Sequence, residues 1–282
     1  MESDNNTTSP DISVILPALN EETTIGICIG KIQQVFRSMG IRGEIIVSDS
    51  STDATPEIAQ SMGAIIVHPE HRGYGYAYLE AFQHARGRYI VIGDADNTYD
   101  FREIPLLIGK LDEGADIVIG SRFKGKILEG AMIPLHRYIG NPLLTWVLNK
   151  VFGTDFSDTH SGFRAIRADS LKRLNLQSWG MEFASEMLIK ASREGLTIAE
   201  VPITYYPRGT PSKLSSYSDG WRHLRFILLL RPMPFLTVPG ILCTLFGLVL
   251  MAAFYTSAND PDGRTHSFIL GTILLTGDCP AQ

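Results

Sequence analysis

From Asp11 onward the chain alternates short runs of valine and isoleucine with longer helical stretches, and this rhythm restricts the fold more than any other feature. Ile12–Leu16, Glu44–Val47, Ala64–Val67, Tyr89–Ile92 and Asp116–Ile119 are the runs, bounded by Gly, Asp or Pro. Continuous apolar runs suit strands covered on both faces. Between them Glu21–Met39, Thr55–Met62, Tyr74–Ala85 and Phe101–Leu111 read as helices. Strands alternating with helices predict an α/β fold with a doubly wound, mostly parallel sheet. Ligands bind such sheets outside the carboxyl ends of the strands, so polar residues just after each strand carry the functional information. After Arg122 the rhythm changes, with helices expected over Asn141–Phe152 and Glu182–Glu194 and a late strand over Thr197–Tyr206.

The 282 residues suffice for one sizeable domain and an appendage. Residues 1–10 are polar and acidic, with the composition of a disordered lead-in rather than a signal peptide. The α/β domain then occupies 11–215. Within 216–234, Trp221–Leu230 mixes Arg222, His223 and Arg225 with Trp, Phe and Leu, as an amphipathic helix in a membrane interface does. Phe235–Tyr255 carries no charge and is long enough to cross a hydrocarbon core, so 235–256 is expected to be a transmembrane helix. Residues 257–282 form an outside loop and a second apolar run, Ser267–Thr276, too short to span alone. Arginines precede the span and Asn259, Asp260 and Asp262 follow it, so the α/β domain is expected on the cytoplasmic side. A net charge of −5 argues against a nucleic-acid partner. Cys28, Cys243 and Cys279 form no CxxC pair and fit neither a zinc site nor a disulfide framework, in keeping with a reducing setting.

Three polar segments follow the early strands. Asp94–Ala95–Asp96 sits after Tyr89–Ile92, and two carboxylates one residue apart hold a divalent cation between protein and diphosphate; Asp is also a common turn residue. Leu16–Pro17–Ala18–Leu19–Asn20–Glu21 ends the first strand, where Pro17 is expected to turn the chain out of the sheet and Asn20 and Glu21 to open a helix. Val47–Ser48–Asp49–Ser50–Ser51–Thr52–Asp53–Ala54–Thr55 follows the second strand. Asp53 or Thr55 can cap the next helix, which leaves Asp49 to accept hydrogen bonds from a nucleobase.

In this order and spacing the three segments resemble glycosyltransferase family 2 over about Ile12 to Leu214, and within it the polyprenyl- or dolichyl-phosphate hexose synthases. Gly120–Ser121–Arg122, Asp158–Thr159–His160–Ser161–Gly162–Phe163–Arg164, Glu200–Val201–Pro202–Ile203, Arg208 and Ser212–Lys213–Leu214 support the resemblance. It implies a GT-A fold in which Pro17, Leu19, Glu21, Val47 and Asp49 line the base and ribose pocket. Asp94, Ala95 and Asp96 would meet diphosphate and metal, and Arg122, Arg208 and Lys213 the phosphates of donor or acceptor. The metal, Mg²⁺ or Mn²⁺, falls to Asp94, Asp96 and Thr98. Thr98 stands where many relatives place a glutamine, with Asn97 or water as the substitute.

The implied reaction is inverting transfer of a hexose from UDP-glucose, GDP-mannose or a similar donor to a polyprenyl or dolichyl phosphate at the membrane. A cation and arginines would stabilise the departing diphosphate. A lipid phosphate is already ionised near neutral pH, its second pKa being about 6, and needs no general base. His136 and His160 remain either acid/base or structural residues. Glu182 and Glu186 lie four apart on one helical face, Glu186 reading as a bracing carboxylate paired with an arginine. Gly73–Tyr74–Gly75 either approaches a phosphate or forms a tight turn. Two rivals stand beside this reading: transfer to another membrane lipid, and a non-catalytic sugar-nucleotide-binding scaffold. Nothing here fixes the oligomeric state, and a homo-oligomer stays open.

Overall fold

The computed structural model describes residues 9–209, 225, 228, 233–256 and 269. The chain divides into two units, Met1–Leu224 and Arg225–Gln282. The first unit is built on a seven-stranded sheet of order β3-β2-β1-β4-β6-β5-β7. Its strands are β1 (Ile12–Ala18), β2 (Gly43–Asp49), β3 (Ile65–Val67), β4 (Tyr89–Ile92), β5 (Ile117–Ile127), β6 (Arg164–Arg167) and β7 (Ile198–Tyr205). Every neighbouring pair is parallel except those of β6, which runs antiparallel to β4 and β5.

Helices cover both faces, which is why the central strands carry unbroken apolar runs. Val14, Leu16, Val47 and Val91 pack towards α1 (Ile25–Met39), α2 (Thr55–Ser61) and α4 (Ile104–Asp112). Ile15, Ile46, Ile90 and Ile92 alternate with them and face α3 (Tyr74–Phe82), α6 (Ala168–Leu174) and α7 (Phe183–Arg193). Each fully buried side chain of this size contributes about 1.5–3 kcal/mol. Helix α1 ends at Gly40, whose φ of 62° closes the last turn in the left-handed region. Prolines 56, 105 and 142 occupy the first turns of α2, α4 and α5 (Asn141–Phe152), where the missing N–H costs nothing.

The doubly wound, mostly parallel expectation holds, with four local corrections. Strand β1 does not turn out at Pro17; it continues to Ala18, paired with Asp49. Pairing with β4 ends at Ile15, whose carbonyl accepts from Gly93 N. Pro17 shares the orientation of Ile15 and so presents its missing donor where no strand remains. Helix α1 begins at Ile25 rather than Glu21: Asn20 adopts φ 53°, residues 22–24 form a turn, and Glu21 O accepts from Thr24 N and Ile25 N at the entry to the helix. Strand β5 runs on to Ile127, its outer half held by β7 beyond an irregularity after Ser121. The short elements β6 and α6 carry no periodic signal long enough to read.

The second unit contains α8 (Met233–Thr256), a helix without a charged residue. Its side chains are described over 237–252, and Val238, Ile241, Leu242, Leu245, Phe246 and Val249 among them are exposed. Among the described residues no helix is long and apolar enough to cross a membrane. The crossing expected over 235–256 is therefore not carried by them. The interfacial helix expected over Trp221–Leu230, apart from Arg225 and Leu228, lies outside the described residues, as does the apolar run Ser267–Thr276 apart from Ile269.

Candidate active site

The chain winds outward from β1 through β2 to β3 and then returns to place β4 on the other side of β1, so the carboxyl ends of β1 and β4 bound a crevice at the switch in strand order. Two loops form one wall. Asn20 N donates to Ser51 Oγ at 2.7 Å, Thr52 N to Asn20 Oδ1 at 2.8 Å and Glu21 N to Thr55 Oγ1 at 2.9 Å. Asp53 Oδ1 accepts from Thr55 N at 3.0 Å in the turn before α2, but the N-cap position falls to Ala54, so neither Asp53 nor Thr55 caps the helix with its side chain. Asp49 is buried and accepts from Ser51 N at 3.2 Å and Ser51 Oγ at 2.6 Å, so its carboxylate also shapes its own turn. Leu19 is exposed on this wall and Pro17 half-buried. The side chain of Val47 is fully buried and packs in the α1-facing core. The methyl group of Ala95 is likewise in the core, leaving only its backbone at the crevice.

The floor is made by the residues after β4. Tyr74 OH donates to Asp94 Oδ1 at 3.0 Å. Thr98 donates to Asp96 Oδ1 from both N, at 3.0 Å, and Oγ1, at 2.6 Å. Thr98 thus stands behind Asp96 and fixes its rotamer. Asn97 adopts φ 62° and its Oδ1 accepts from Lys31 Nζ at 2.8 Å, so that oxygen is engaged on the far side of the turn. Arg208 bridges the crevice, with Nη2 2.8 Å from Glu21 Oε1 and Nε 3.2 Å from Asp96 Oδ2. Burial, and then the neighbouring Asp96, push the Asp94 carboxyl up to about 7; the Tyr74 bond and the two arginines oppose them.

Arg122 enters from β5. Its Nε and Nη2 donate to Asp158 at 2.7 and 2.8 Å, and its backbone N donates to Asp158 Oδ2 at 3.1 Å. Burial opposes the guanidinium charge, but Asp158 together with Tyr99 and Tyr205 outweighs it and holds the group well above the ordinary arginine value. Beside it Arg164 is fully buried and satisfied by the carbonyls of Thr159, Ser161 and Ala184. Gly162 closes over Asp94: a Cβ there would lie 2.9 Å from both Asp94 Oδ2 and Tyr74 OH. His160 supports this loop, its N donating to Asp158 Oδ1 at 3.3 Å and its ring meeting Thr159 Oγ1 at 3.0 Å. Lys213 lies outside the described residues.

Two ambiguous motifs resolve. At Gly73–Tyr74–Gly75 a Cβ would come within 2.4 Å of Trp179 O at Gly73 and 2.1 Å of Ser178 O at Gly75. Trp179 O also accepts from Tyr76 N, so the start of α3 receives protein carbonyls and is a packing turn. Gly75→Ala should therefore cost about 1–3 kcal/mol through overpacking, read as a lower denaturation midpoint. Glu186 is the expected brace, accepting from Gln177 N and Ser178 N, but its ionic partner is Lys190 at 2.7 Å rather than an arginine. Tyr74 and Asp158 are functional neighbours that sequence reasoning left without roles. A phenol between two glycines and an aspartate in a Ser/Thr-rich loop carry no distinguishing local signal.

A profile described as Glycosyl transferase family 2 matches residues 13–174, more than half of the chain. The chain belongs to this family. The low-salt glycan biosynthesis hexosyltransferase Agl6 of Haloferax volcanii is 48% identical over 86% of the chain; the match spans 59% of that relative's length. A dolichyl-phosphate hexose transferase of the same organism is 33% identical, over 76% of the chain and 90% of the relative. The crystal structure of glucosyl-3-phosphoglycerate synthase from Mycobacterium tuberculosis with Mn²⁺, UDP and glucosyl-3-phosphoglycerate superposes with a TM-score of 0.65 at 26% identity, covering 79% of this chain and 80% of that one. The GT-A expectation for the α/β unit is thereby met, and family members of this type are glycosyltransferases.

Proposed function

We propose that the chain transfers a hexose, with inversion, from a nucleoside-diphosphate sugar to a polyprenyl or dolichyl phosphate at a membrane surface. The observation that carries this reading is the convergence of Glu21, Asp94 and Asp96 with Arg208 and, from midway along β5, Arg122 at the carboxyl ends of β1 and β4. The name of the dolichyl-phosphate hexose transferase supports the acceptor class, and the Mn²⁺- and UDP-bound neighbour supports the donor class.

A divalent cation fits the residues present. Among the described residues no group of three His, Cys, Asp or Glu is spaced to hold an ion. Mg²⁺ and Mn²⁺ nonetheless settle on one or two carboxylates when phosphates and water complete the shell. Burial, and then the charge of Asp96 beside it, raise the Asp94 carboxyl to about 7, an unfavourable arrangement that a cation relieves. Bound there, the ion supplies charge stabilisation for the departing diphosphate. Thr98 holds Asp96 in place and Tyr74 holds Asp94. Arg208 leaves its carboxylate partners to meet phosphate oxygens. Arg122, with Nε and Nη2 committed to Asp158, keeps Nη1 for the acceptor phosphate. The lipid phosphate oxygen attacks the anomeric carbon while the diphosphate oxygen takes the bond electrons. No protein base is required, so His136 and His160 have no part in proton transfer.

The cation should displace the Asp94 proton, so Mn²⁺ affinity should fall as pH drops below the Asp94 value of about 7, by about tenfold per pH unit. Calorimetric titration in buffers of different ionisation enthalpy reads both affinity and proton release. The function itself is tested with radiolabelled UDP-glucose and GDP-mannose, each with Mn²⁺ or excess chelator and with or without polyprenyl phosphate. Cation-dependent label transfer to the prenyl phosphate is expected. Transfer only to another lipid, or binding without turnover, would favour one of the rival readings.

A further inference from the structure

Between Ile133 and Trp146 six large apolar side chains stand in solvent: Ile133, Leu135, Tyr138, Ile139, Leu143 and Trp146, each more than half exposed. Single exposed apolar residues are ordinary, but a contiguous set marks an interaction surface. The local fold explains the grouping. A π-helical turn, His136–Gly140, runs straight into α5, and positions 135, 139, 143 and 146 recur at helical spacing along one side. Thr145, Leu148 and Val151 of the same helix are buried, so α5 is apolar both towards the domain and away from it.

The charges select the partner. Residues 131–152 contain Arg137 and Lys150 and no acid, in a chain whose net charge is −5. Arg137 lies 5.4 Å from the centre of the exposed Tyr138 ring. Tryptophan, tyrosine and basic side chains around an apolar face are the composition of a segment lying at a bilayer surface. A groove of about 260 Å³, lined by Arg137, Tyr138, Pro142 and Arg122 among others, joins this face to the arginine of the active site.

We infer that residues 133–146 are seated in the headgroup–acyl boundary of a lipid bilayer, a membrane contact made by the catalytic domain itself. The inference rests on the lipid-phosphate reading of the site and adds to it the surface by which the enzyme meets that acceptor. It separates this contact from any membrane attachment through α8.

The test uses the full chain with vesicles of phosphatidylcholine and phosphatidylglycerol carrying brominated acyl chains. The Trp146 signal is isolated by subtracting the Trp146→Phe variant. Bromine is expected to quench about half or more of that signal, as for a side chain within 5–10 Å of the boundary, and vesicles should shield it from acrylamide. Unchanged acrylamide access in the presence of vesicles overturns the inference. So does a vesicle-free dimer in which Trp146 is already shielded. A second variant, Ile139→Ser with Leu143→Ser, alters only exposed positions. Its transfer to vesicle-embedded long-chain prenyl phosphate should fall about tenfold, with a change of no more than about twofold on a water-soluble short-chain prenyl phosphate. Equal losses on both acceptors overturn the inference. Quenching without any sugar transfer would leave the docking surface standing and remove the proposed function; transfer without quenching would do the reverse.

Discussion

Asp96→Asn should lower kcat/KM for sugar transfer by about 10³-fold or more while moving the denaturation midpoint little. The substitution keeps the side-chain shape and an acceptor oxygen for Thr98 N and Oγ1, so the turn after β4 has no reason to rearrange. It removes the negative charge that faces Arg208 Nε at 3.2 Å and that would share the cation with Asp94. It also removes the neighbour whose charge helps to raise Asp94, so the apparent Asp94 value should drop from about 7. Transfer kinetics, Mn²⁺ calorimetry and a carboxyl titration by infrared spectroscopy read the three effects separately. Activity within tenfold of the parent chain would remove the cation from the mechanism.

Asp158→Asn should act chiefly on stability. Asp158 and Arg122 are both buried, and the pair is joined through two guanidinium bonds and one backbone bond. Removing one partner of a buried pair leaves the other charge uncompensated and costs about 3–5 kcal/mol. For a domain of this size that lowers the midpoint by on the order of 10 °C. The double variant Arg122→Leu with Asp158→Leu should be more stable than Asp158→Asn, because it leaves no orphaned charge, yet it should be as inactive as Arg122→Leu. A double-mutant cycle by chemical denaturation settles the first point and a transfer assay the second. An Asp158→Asn midpoint unchanged within error would show that water reaches the pair.

The sequence made the sheet legible because a strand covered on both faces carries an unbroken apolar run, as Val14–Leu16, Ile45–Val47 and Tyr89–Ile92 do in β1, β2 and β4. It hid β6 because Arg164–Arg167 begins and ends with arginine. No periodic rule anticipates a buried guanidinium satisfied by three carbonyls, which is how Arg164 is held. Pro17 misled for a related reason: a proline in a strand costs a ladder bond only where a neighbour exists, and β4 stops before it does. In the site, Asp94, Asp96 and Glu21 were readable from their positions after strands. Tyr74 was not, since its bond to Asp94 spans 20 residues. Val47 lies inside a recognisable motif, yet its side chain packs into the core. Spacing identifies which segments converge; it does not say which way each side chain turns once they have.

The reversed strand β6 has a consequence for how such a domain diversifies. Because β6 returns antiparallel beside β5, the chain departs and comes back at one edge of the same crevice, and Gly120 N donates to Phe163 O at 2.9 Å across the base of the excursion. Residues 121–162 thus form a loop cinched at its neck, and lengthening a loop already closed adds only about 0.6 kcal/mol per doubling. A lineage could exchange that whole span for another and leave the nucleotide half of the crevice, built from β1, β2 and β4, as it was.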